Sequence, residues 1–596
     1  MRSTRLIFAA GVLVAGASLA CSSDSLTDSN APPGLALSLT PAADTIFIAD
    51  TVATAAPLAL SLSATSLGRS VVTPTGVEWT SSDPGVAVVS PTGVVTAAGI
   101  GTTTVTARVN DARATTTIVV AFRATQVTLS PTSLVGVAGD TVVVTASALD
   151  ANGALVPGTI YAFSSSDVTA AAVSQTGTRT ARVVFLKAGA TRVNVTAAGQ
   201  TVSATGTVLA RDFISAPVSG APQGALTISA GDDATCGLLP LGRGYCFGRA
   251  GLLGIAKDTS CFTDTGTREG CTLIPLRIAG SLNLTSVSVG ETVACGATAD
   301  NRAYCWGSNA TGQLGNGTAS TGTSATPTLV TGSVSAGAIS LARVAAGGNH
   351  VCGLTPVGAA WCWGNDALLQ LGNGDAFPLS STTPVPVAGA QTYTMITAGT
   401  SHTCALRADG AAFCWGDNRK GQLGAGPVGS PIDVPTLVSG GLTFASLSAG
   451  GDHTCGITRT GAAFCWGSNE TGQLGHGDAT DFYDVPMAVA GSQTYKSISV
   501  GSRSGCAVTT GGSAFCWGAD DFGQLGNGVS STSPSVSPVP VSGGHTDFTS
   551  VTVGRRHACA VGASGAYCWG SNVLGALGNE LQALIQPVPQ KTATPQ

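Results

Sequence analysis

Cysteine is the residue whose spacing carries the clearest chemistry in this chain of 596 residues. Of its 17 cysteines, all except Cys21 have a partner nine or ten positions away. Zinc sites usually hold ligand pairs only about two to four residues apart, and no such pair occurs. Even pairing is typical of disulfides formed in an oxidising compartment. The predicted pairs are Cys236 with Cys246, Cys261 with Cys271, Cys295 with Cys305, Cys352 with Cys362, Cys404 with Cys414, Cys455 with Cys465, Cys506 with Cys516, and Cys559 with Cys568.

Histidines two positions before the first cysteine of a pair are the best candidates for a metal ring. Four of the seven units carry one, and all four could bind a single ion only if they pointed into a narrow axial channel. Residues repeated at one place per unit normally hydrogen-bond within the turns of their own unit. We therefore expect a structural role, no catalytic residues, and neither metal nor cofactor. These histidines are His350, His402, His453 and His557.

Tryptophans follow the second cysteine in six units, in the phrase Cys-Trp-Gly. Such a series could form an aromatic platform for sugars. The simpler prediction is that each ring packs between neighbouring units and covers the disulfide. The residues are Trp306, Trp363, Trp415, Trp466, Trp517 and Trp569.

The elements that position these residues recur every 51 to 59 residues, measured between successive first cysteines. A period near fifty is typical of propellers and solenoids. Each unit contains a short alternating run ending in Ala-Gly or Val-Gly, a cysteine strand, a tight turn, an aromatic-Cys-Trp-Gly strand and a Pro-Val segment. This order predicts a four-stranded blade in which the two cysteines face each other across a hairpin.

The unit resembles the repeat of the regulator of chromosome condensation family, in its phrases Ala-Gly-x-x-His-Thr-Cys-Ala-Leu, Asp-Gly, Cys-Trp-Gly-x-Asn and Gly-Gln-Leu-Gly. The resemblance implies a seven-bladed β-propeller over residues 213–596 and a rigid disc that binds proteins. The paired cysteines are similar to those of an exported bacterial branch. The best-known member is a nucleotide-exchange factor for a nuclear GTPase; an exported protein meets no such partner, so exchange activity is not expected.

The amino terminus has the pattern of an export signal. Two arginines precede the apolar residues 6–20, a run too short to span a bilayer. The junction Ser18-Leu-Ala-Cys21 resembles a bacterial lipobox, although that motif prefers Leu three places before the cysteine. Ordinary cleavage would instead release a soluble protein, but would leave Cys21 as an unpaired thiol. We predict a lipoprotein signal at 1–21, lipidation at Cys21, a flexible tether at 22–34, and a place in the bacterial envelope as an outer-membrane or surface lipoprotein.

Residues 35–211 lack cysteine and contain strands rich in Val, Thr and Ala, which predicts all-β sandwiches. The run Val77-Glu-Trp79-Thr-Ser-Ser-Asp83 resembles a bacterial immunoglobulin-like domain of group 2. We place the first such domain at 35–122 and a second at 123–211, with Trp79 and Phe163 as core aromatics. Tandem domains of this kind usually act as spacers or adhesion stalks.

The composition and the absence of common catalytic motifs argue against nucleic-acid binding and against the common enzyme classes. Only 10% of residues are charged and the net charge is −5, so there is no basic face for nucleic acid. The chain has no nucleophile elbow, zinc helix or phosphate loop. The candidate binding residues lie in loops whose sequence departs from the repeat, and these loops belong to two units. They are Asp481, Phe482, Tyr483 and Asp484, with Asp520, Asp521 and Phe522.

The predicted fold class is all-β: two immunoglobulin-like sandwiches followed by a disulfide-stapled, seven-bladed propeller. The predicted function is cell-surface binding or adhesion, with a non-catalytic propeller on a stalk and a protein or surface glycan as partner. The alternatives are an extracellular carbohydrate-active enzyme and a structural envelope component. Clustering of acids, histidines and arginines from several blades, such as Asp452, Asp520, Arg555 and Arg556, would favour the enzyme.

Overall fold

A computed structural model describes most of the chain after residue 34, apart from short gaps. The predicted export signal, Cys21 and the tether lie outside the described residues, as does the segment 210–227, which includes Ala216-Pro-Val218. Within the described part, no helix is long and apolar enough to cross a membrane. The described residues are 35–48, 55–66, 69–71, 74–122, 124–151, 153–156, 159–198, 200–209, 228–255, 259–263, 267–332, 339–375, 377–581 and 583–596.

The first domain consists of three small sheets around one core. Its long strands alternate buried and exposed residues, as expected where Val and Ala face the core and Thr or Arg faces water. Trp79 is partly buried and packs against this core. The strands are β1 (Leu35–Thr40), β2 (Ala43–Ile48), β3 (Leu58–Ala59), β4 (Ser61–Ser66), β5 (Arg69–Val71), β6 (Glu78–Ser81), β7 (Ala87–Val89), β8 (Val94–Ala97), β9 (Gly101–Val109) and β10 (Ala112–Phe122), in sheets β1-β4-β5, β2-β10-β9-β6 and β3-β8-β7.

The second domain is a sandwich of two four-stranded sheets that share one core. Phe163 is partly buried and packs against that core, as Trp79 does in the first domain, while Phe185 and Tyr161 are buried within it. The strands are β11 (Gln126–Ser130), β12 (Ser133–Val137), β13 (Thr141–Leu149), β14 (Ala162–Ser165), β15 (Ala171–Gln175), β16 (Thr180–Phe185), β17 (Gly189–Ala197) and β18 (Gln200–Leu209), in sheets β11-β13-β16-β15 and β12-β18-β17-β14.

The rest of the described chain folds into seven consecutive antiparallel sheets, the blades. Blade 1 has five strands because the insertion after Arg249 adds one, and every other blade has four. Three short 3-10 helices occur at Pro240–Gly242, Ala250–Leu252 and Val573–Gly575. The blade strands are, in order, β19 (Ile228–Ala230), β20 (Ala234–Leu238), β21 (Gly244–Arg249), β22 (Thr259–Phe262), β23 (Arg268–Arg277); β24 (Leu284–Val289), β25 (Val293–Thr298), β26 (Ala303–Asn309), β27 (Ser320–Leu329); β28 (Arg343–Ala346), β29 (His350–Leu354), β30 (Ala360–Asn365), β31 (Ser380–Pro386); β32 (Met395–Ala398), β33 (His402–Leu406), β34 (Ala412–Gly416), β35 (Ile432–Leu437); β36 (Phe444–Ala449), β37 (His453–Thr458), β38 (Ala463–Ser468), β39 (Phe482–Ala488); β40 (Tyr495–Val500), β41 (Ser504–Thr509), β42 (Ala514–Asp520), β43 (Ser531–Pro540); and β44 (Phe548–Val553), β45 (His557–Gly562), β46 (Gly565–Ser571), β47 (Ile585–Lys591).

Disulfides join the second and third strands of every blade. In blade 4, for example, Cys404 and Cys414 stand directly opposite each other with Cα atoms 4.1 Å apart. The eighth disulfide, between Cys261 and Cys271, instead fastens the additional strand β22 of blade 1 to β23. All eight pairs expected from the sequence are bonded in the structure: Cys236 to Cys246, Cys261 to Cys271, Cys295 to Cys305, Cys352 to Cys362, Cys404 to Cys414, Cys455 to Cys465, Cys506 to Cys516, and Cys559 to Cys568.

Among the described strands, none is shared between the first and last blades. The Pro-Val segments form outermost strands, where proline removes donors that would otherwise template edge-to-edge pairing. The carboxy-terminal segment Gln586-Pro-Val-Pro589 completes blade 7 in this way, as part of β47. Blades 7 and 1 meet through backbone contacts near the axis: the Ala230 N–H donates to Thr552 Oγ1 at 2.9 Å, and the Arg555 N–H donates to the Gly231 carbonyl at 3.0 Å.

Candidate functional site

A ring of glycines closes the propeller near its axis. Each stands in the turn between the first and second strands of its blade, here called the axial turn, and its carbonyl approaches the preceding blade. The Thr400 N–H donates to the Gly450 carbonyl at 3.0 Å, and a Cβ on Gly399 would lie 2.4 Å from that same oxygen. Only glycine permits this approach, and the cavity left at the axis has a volume of about 90 Å³.

The four histidines are buried between blades and do not form a metal site. In three cases the imidazole Nε2 contacts a threonine of the next blade at 2.8 to 2.9 Å: His350 with Thr403, His402 with Thr454, and His557 with Thr235 across the ring closure. The prediction that these histidines serve turns of their own blade was wrong. Each Thr hydroxyl donates to a backbone carbonyl, so it must accept its second bond from Nε2–H.

The electrostatics of these histidines agree with a structural role. Burial lowers the pKa of His350 and His557 to about 4, and that of His402 and His453 to about 3, so all four are neutral near pH 7. His453 faces Gly505 of blade 6, which has no hydroxyl, and both of its ring nitrogens lack a partner. Among the described residues no group of three or more His, Cys, Asp or Glu is placed to hold a metal ion.

The tryptophans are fully buried between blades, which leaves no aromatic platform for sugar. Each indole N–H donates to a backbone carbonyl of the preceding blade, as from Trp466 to Gln422 at 3.0 Å. The adjacent Gly424 packs on the same ring, where a Cβ would lie 2.6 Å from Nε1. Blade 1 has Phe247 at this position, so its contact with blade 7 lacks the indole donor.

One side of the disc carries a cavity lined by charged residues that vary between blades. Because the strands are antiparallel, the axial turns and the loops after the third strands lie on the same side, here called the loop face. The hairpin turns between the second and third strands lie on the opposite side, the hairpin face. On the loop face, blades 2, 4, 5, 6 and 7 together line a cavity of about 390 Å³. Its charged lining residues are Glu291, Lys420, Asp452, Glu470, Arg503 and Arg555.

Most cations on the loop face are paired. Lys420 contacts Glu470 of the next blade, and Arg503 binds Asp521 at 2.8 Å. Arg555 bridges blades 7 and 1 through Asp232 at 3.2 Å. The loop face is therefore an array of opposite charges, paired within blade 6 and between neighbouring blades.

Several carboxyl groups of this face have perturbed pKa values, among them Asp233 and Asp452. Burial, reinforced by the neighbouring Asp232, raises the pKa of Asp233 to about 6 although Arg249 opposes the shift. Burial and the nearby Asp417 raise the pKa of Asp452, which lies in the cavity with Glu291.

Asp366 is a further acid whose pKa burial raises to about 6, but its role is structural. Its carboxylate accepts the Leu371 N–H at 2.9 Å, and its backbone N–H donates to the Leu379 carbonyl at 2.8 Å. These bonds order the loop after the third strand of blade 3. We therefore do not count Asp366 among the groups that could meet a ligand.

The candidate loop at 520–522 lies on the loop face. Asp520 is buried and accepts the Leu525 N–H at 3.1 Å, so its carboxylate shapes the turn. Asp521 pairs with Arg503, and the guanidinium of Arg556 lies 4.7 Å from the centre of the Phe522 ring. Asp521 and Phe522 are therefore available for contacts at this face, whereas Asp520 is not.

The other candidate loop begins the outermost strand of blade 5. Asp481 and Phe482 are exposed there. Tyr483 donates its hydroxyl to Asp478 at 2.9 Å, and Asp484 packs beside Gly421 of blade 4. These residues belong to the rim between two blades, so the structure does not unite the two candidate loops in one pocket.

Of the four acids and arginines named as possible partners, Asp452 and Arg555 line one cavity, whereas Asp520 and Arg556 do not line it. The histidines do not join them. Glu291, Lys420, Glu470 and Arg503 were missed from the sequence. A signal existed for two of them, because Glu291 and Arg503 occupy axial turns whose residues vary from blade to blade while the glycine recurs.

Comparison with known proteins agrees with this architecture. The model of the bacterial Ig-like domain (group 2) matches residues 49–120, and that of the RCC1-like domain matches residues 239–595. The ultraviolet-B receptor UVR8 of Arabidopsis thaliana is 29% identical over 379 residues, which cover 62% of this chain and 82% of the receptor. The human probable E3 ubiquitin-protein ligase HERC3 is 37% identical over 199 residues, covering 32% of this chain and 18% of the ligase.

Among solved structures, human WBSCR16 has the same fold. It superposes with a TM-score of 0.52 at 20% identity, over 59% of this chain and 94% of that one. The chain spans less than a fifth of the length of HERC3, so the ligase's activity is not carried over. With the family model covering more than half of its length, the chain belongs to the RCC1-like domain family, with a bacterial Ig-like domain of group 2 ahead of the propeller.

Proposed function

We propose that this protein is an exported binding protein of the bacterial surface, anchored by lipid at Cys21. In this proposal the immunoglobulin-like domains form a stalk, and the propeller is a non-catalytic platform for a protein partner. The export signal, the pairing of every cysteine except Cys21 and the repeat family support it. One relative is by name a receptor, which is consistent with a propeller that binds.

The observation that carries the proposal is the loop face. Residues that recur in every blade are buried in blade-to-blade contacts, whereas the loop face gathers charged and aromatic groups that differ between blades. Arg and aromatic side chains are enriched in protein interfaces, and Arg503, Arg555, Arg556 and Phe522 lie together here. A protein surface with complementary charge fits this array better than a small apolar ligand does.

The test is retention of envelope proteins by the full oxidised chain and by charge-reversed variants. The double change of Arg503→Glu with Arg555→Glu replaces two positive charges of the loop face with negative ones. Arg302→Glu with Arg407→Glu serves as the matched control, because both arginines are exposed in hairpin turns of the opposite face. We expect a partner retained by wild type and control and reduced about tenfold or more by the loop-face variant. Equal retention by both variants, or no retained protein, would refute the proposal.

A carbohydrate-active enzyme is the second candidate, favoured by one observation. Glu291 and Asp452 come from different blades, line one cavity and differ in environment, with the pKa of Asp452 raised. Glycosidases use two carboxyl groups, one of them protonated. Release of reducing sugar ends from envelope polysaccharide by wild type, abolished in Asp452→Asn, would establish this function. If neither protein nor sugar is recognised, the structural envelope role remains.

A further inference from the structure

The hairpin turn of blade 1 begins with an apolar residue, whereas those of blades 2 to 6 begin with threonine or arginine. Leu239 makes the same backbone hydrogen bond across the turn as Thr298, Thr355, Arg407, Thr458 and Thr509. Leu239 is fully buried although it lies in a turn at the edge of the disc. A leucine at this place needs an apolar cover, and the polar residues of blades 2 to 6 show that the blade itself does not need a leucine there.

The cover comes from the second immunoglobulin-like domain. Val137, at the end of β12, is 1% exposed and belongs to the same apolar cluster as Leu239 and Tyr245 of blade 1. Leu209, paired with Val137 at the end of β18, packs against that cluster. The contact therefore joins the end of the sandwich, where β12 and β18 finish, to the hairpin face of the propeller.

A charged contact fixes the orientation of the two domains. Arg243, which follows the apolar turn, donates to Asp140, and this bond raises the pKa of the Arg243 guanidinium. The other oxygen of Asp140 accepts the Val137 N–H at 2.9 Å, which holds the carboxylate in place. The two side chains are only 22% and 17% exposed, so solvent screens them less than a surface pair.

We propose that the blade 1 hairpin is the docking site for the second immunoglobulin-like domain of the same chain, and that this domain and the propeller move as one body. The stalk then meets the hairpin face, and the loop face is directed away from it. A flexible spacer would instead leave Leu239 and Val137 exposed to water whenever the joint opened. This inference does not depend on what the loop face binds.

The test uses hydrogen exchange of the full oxidised chain, read at the amides of Ala138, Leu239 and Gly242. Three variants are compared with wild type: Asp140→Arg, Arg243→Asp, and the pair combined, which reverses the charges. Arg302→Asp is the matched control, because Arg302 holds the position of Arg243 in blade 2 but pairs only with exposed Asp300. Amides of blade 5 report whether each variant has folded.

Each single change is expected to accelerate exchange at these three amides about tenfold, and the reversed pair to recover much of the loss. The Arg302→Asp protein should exchange like wild type there. Unchanged exchange in the single variants, the same effect from Arg302→Asp, or no recovery in the reversed pair would each overturn the docking proposal. Partner retention by the loop face should be unaffected in all of these variants, which separates this failure from failure of the proposed function.

Discussion

Replacing Thr235 by valine should weaken the junction between the last and first blades more than the same change weakens an ordinary junction. At the ordinary junction, Thr454 accepts from His402 and donates to the Gln422 carbonyl at 3.0 Å. That carbonyl also accepts the indole N–H of Trp466. At the ring closure, Thr235 binds His557 and the Ala576 carbonyl at 3.1 Å, but no indole is present because Phe247 replaces tryptophan.

The magnitude follows from the number of buried groups left without a partner. Thr454→Val leaves one, the His402 Nε2–H, because the Gln422 carbonyl keeps its indole donor. The cost of one such group is about 1–3 kcal/mol. Thr235→Val leaves two, the His557 Nε2–H and the Ala576 carbonyl, and should cost about 2–6 kcal/mol by the same reasoning. Valine preserves the side-chain volume, so no cavity term is added.

One junction of the propeller is already apolar at the positions that histidine and threonine hold elsewhere. Between blades 2 and 3 the corresponding positions are Val293 and Val351, and both are fully buried. The double change of His402→Val with Thr454→Val should therefore unfold at higher urea concentration than Thr454→Val alone. Exposed Thr532 provides the control, since Thr532→Val should change the unfolding free energy by less than about 0.5 kcal/mol.

The assay is urea unfolding of the oxidised chain, followed by fluorescence of the interblade tryptophans. Equal or smaller destabilisation by Thr235→Val than by Thr454→Val would refute the assignment of a second unsatisfied group. Failure of the double valine variant to recover stability would refute the view that histidine and threonine act as one interblade pair.

Further predictions concern the disulfides, the glycine ring and acid stability. Under native conditions a thiol reductant should open the disulfide between Cys261 and Cys271 before any other, because Cys261 is partly exposed while the fourteen cysteines of the blade hairpins are buried; alkylation and mass spectrometry would show the order. Gly501→Ala should destabilise the propeller by about 2–4 kcal/mol, because its Cβ would meet the next blade's carbonyl, whereas Gly322→Ala, with open space around it, should be nearly neutral in urea unfolding. As pH falls from about 6.5 to about 4, the unfolded chain takes up protons at the four buried histidines and the folded chain does not, so the free energy of unfolding should fall. The raised pKa values of Asp233 and Asp366 oppose this between about pH 6 and 4, and the smaller upward shifts of Asp452 and Asp520 do so over a narrower range, but the four histidine shifts together are larger; a urea midpoint that rises on acidification would contradict the reasoning.

The features that could be predicted from the sequence are those set by local spacing. Cysteines ten residues apart on either side of a tight turn must face each other in a hairpin, and in blade 4 Cys404 and Cys414 do so. One tryptophan per unit, next to that cysteine, has nowhere to pack but against the neighbouring unit, as Trp415 does through the Gln370 carbonyl. Both arguments need only the period and the strand order.

Contacts between blades were harder to predict because they join residues about fifty positions apart. The histidines were expected to serve their own turns, yet His350 binds Thr403 of the next blade. A signal was present: threonine precedes the first cysteine in the blades that follow His350, His402 and His557, but not where Val293 stands instead, and His453, followed by Gly505, is the exception. The roles of Asp520 and Asp521 could not be separated either, since only the fold decides which carboxylate is buried.

The same contacts explain why binding specificity belongs on the loop face. The contacts between blades are buried: they are made by the glycine carbonyls, the His–Thr pairs and the indole donors. A substitution at any of these positions would leave a buried polar group without a partner or cause a steric clash. The residue that follows each axial glycine differs in chemistry around the disc: Asp232, Glu291, Gly348, Thr400, Gly451, Ser502 and Arg555. Gly348 and Gly451 are constrained, because a Cβ there would lie 2.5 and 2.6 Å from a carbonyl oxygen of the next blade. Contacts at the other five positions vary: Asp232 pairs with Arg555, and Thr400 donates to Glu291. A ring that holds these positions rigid while five of them differ in side chain can change its ligand without changing its fold.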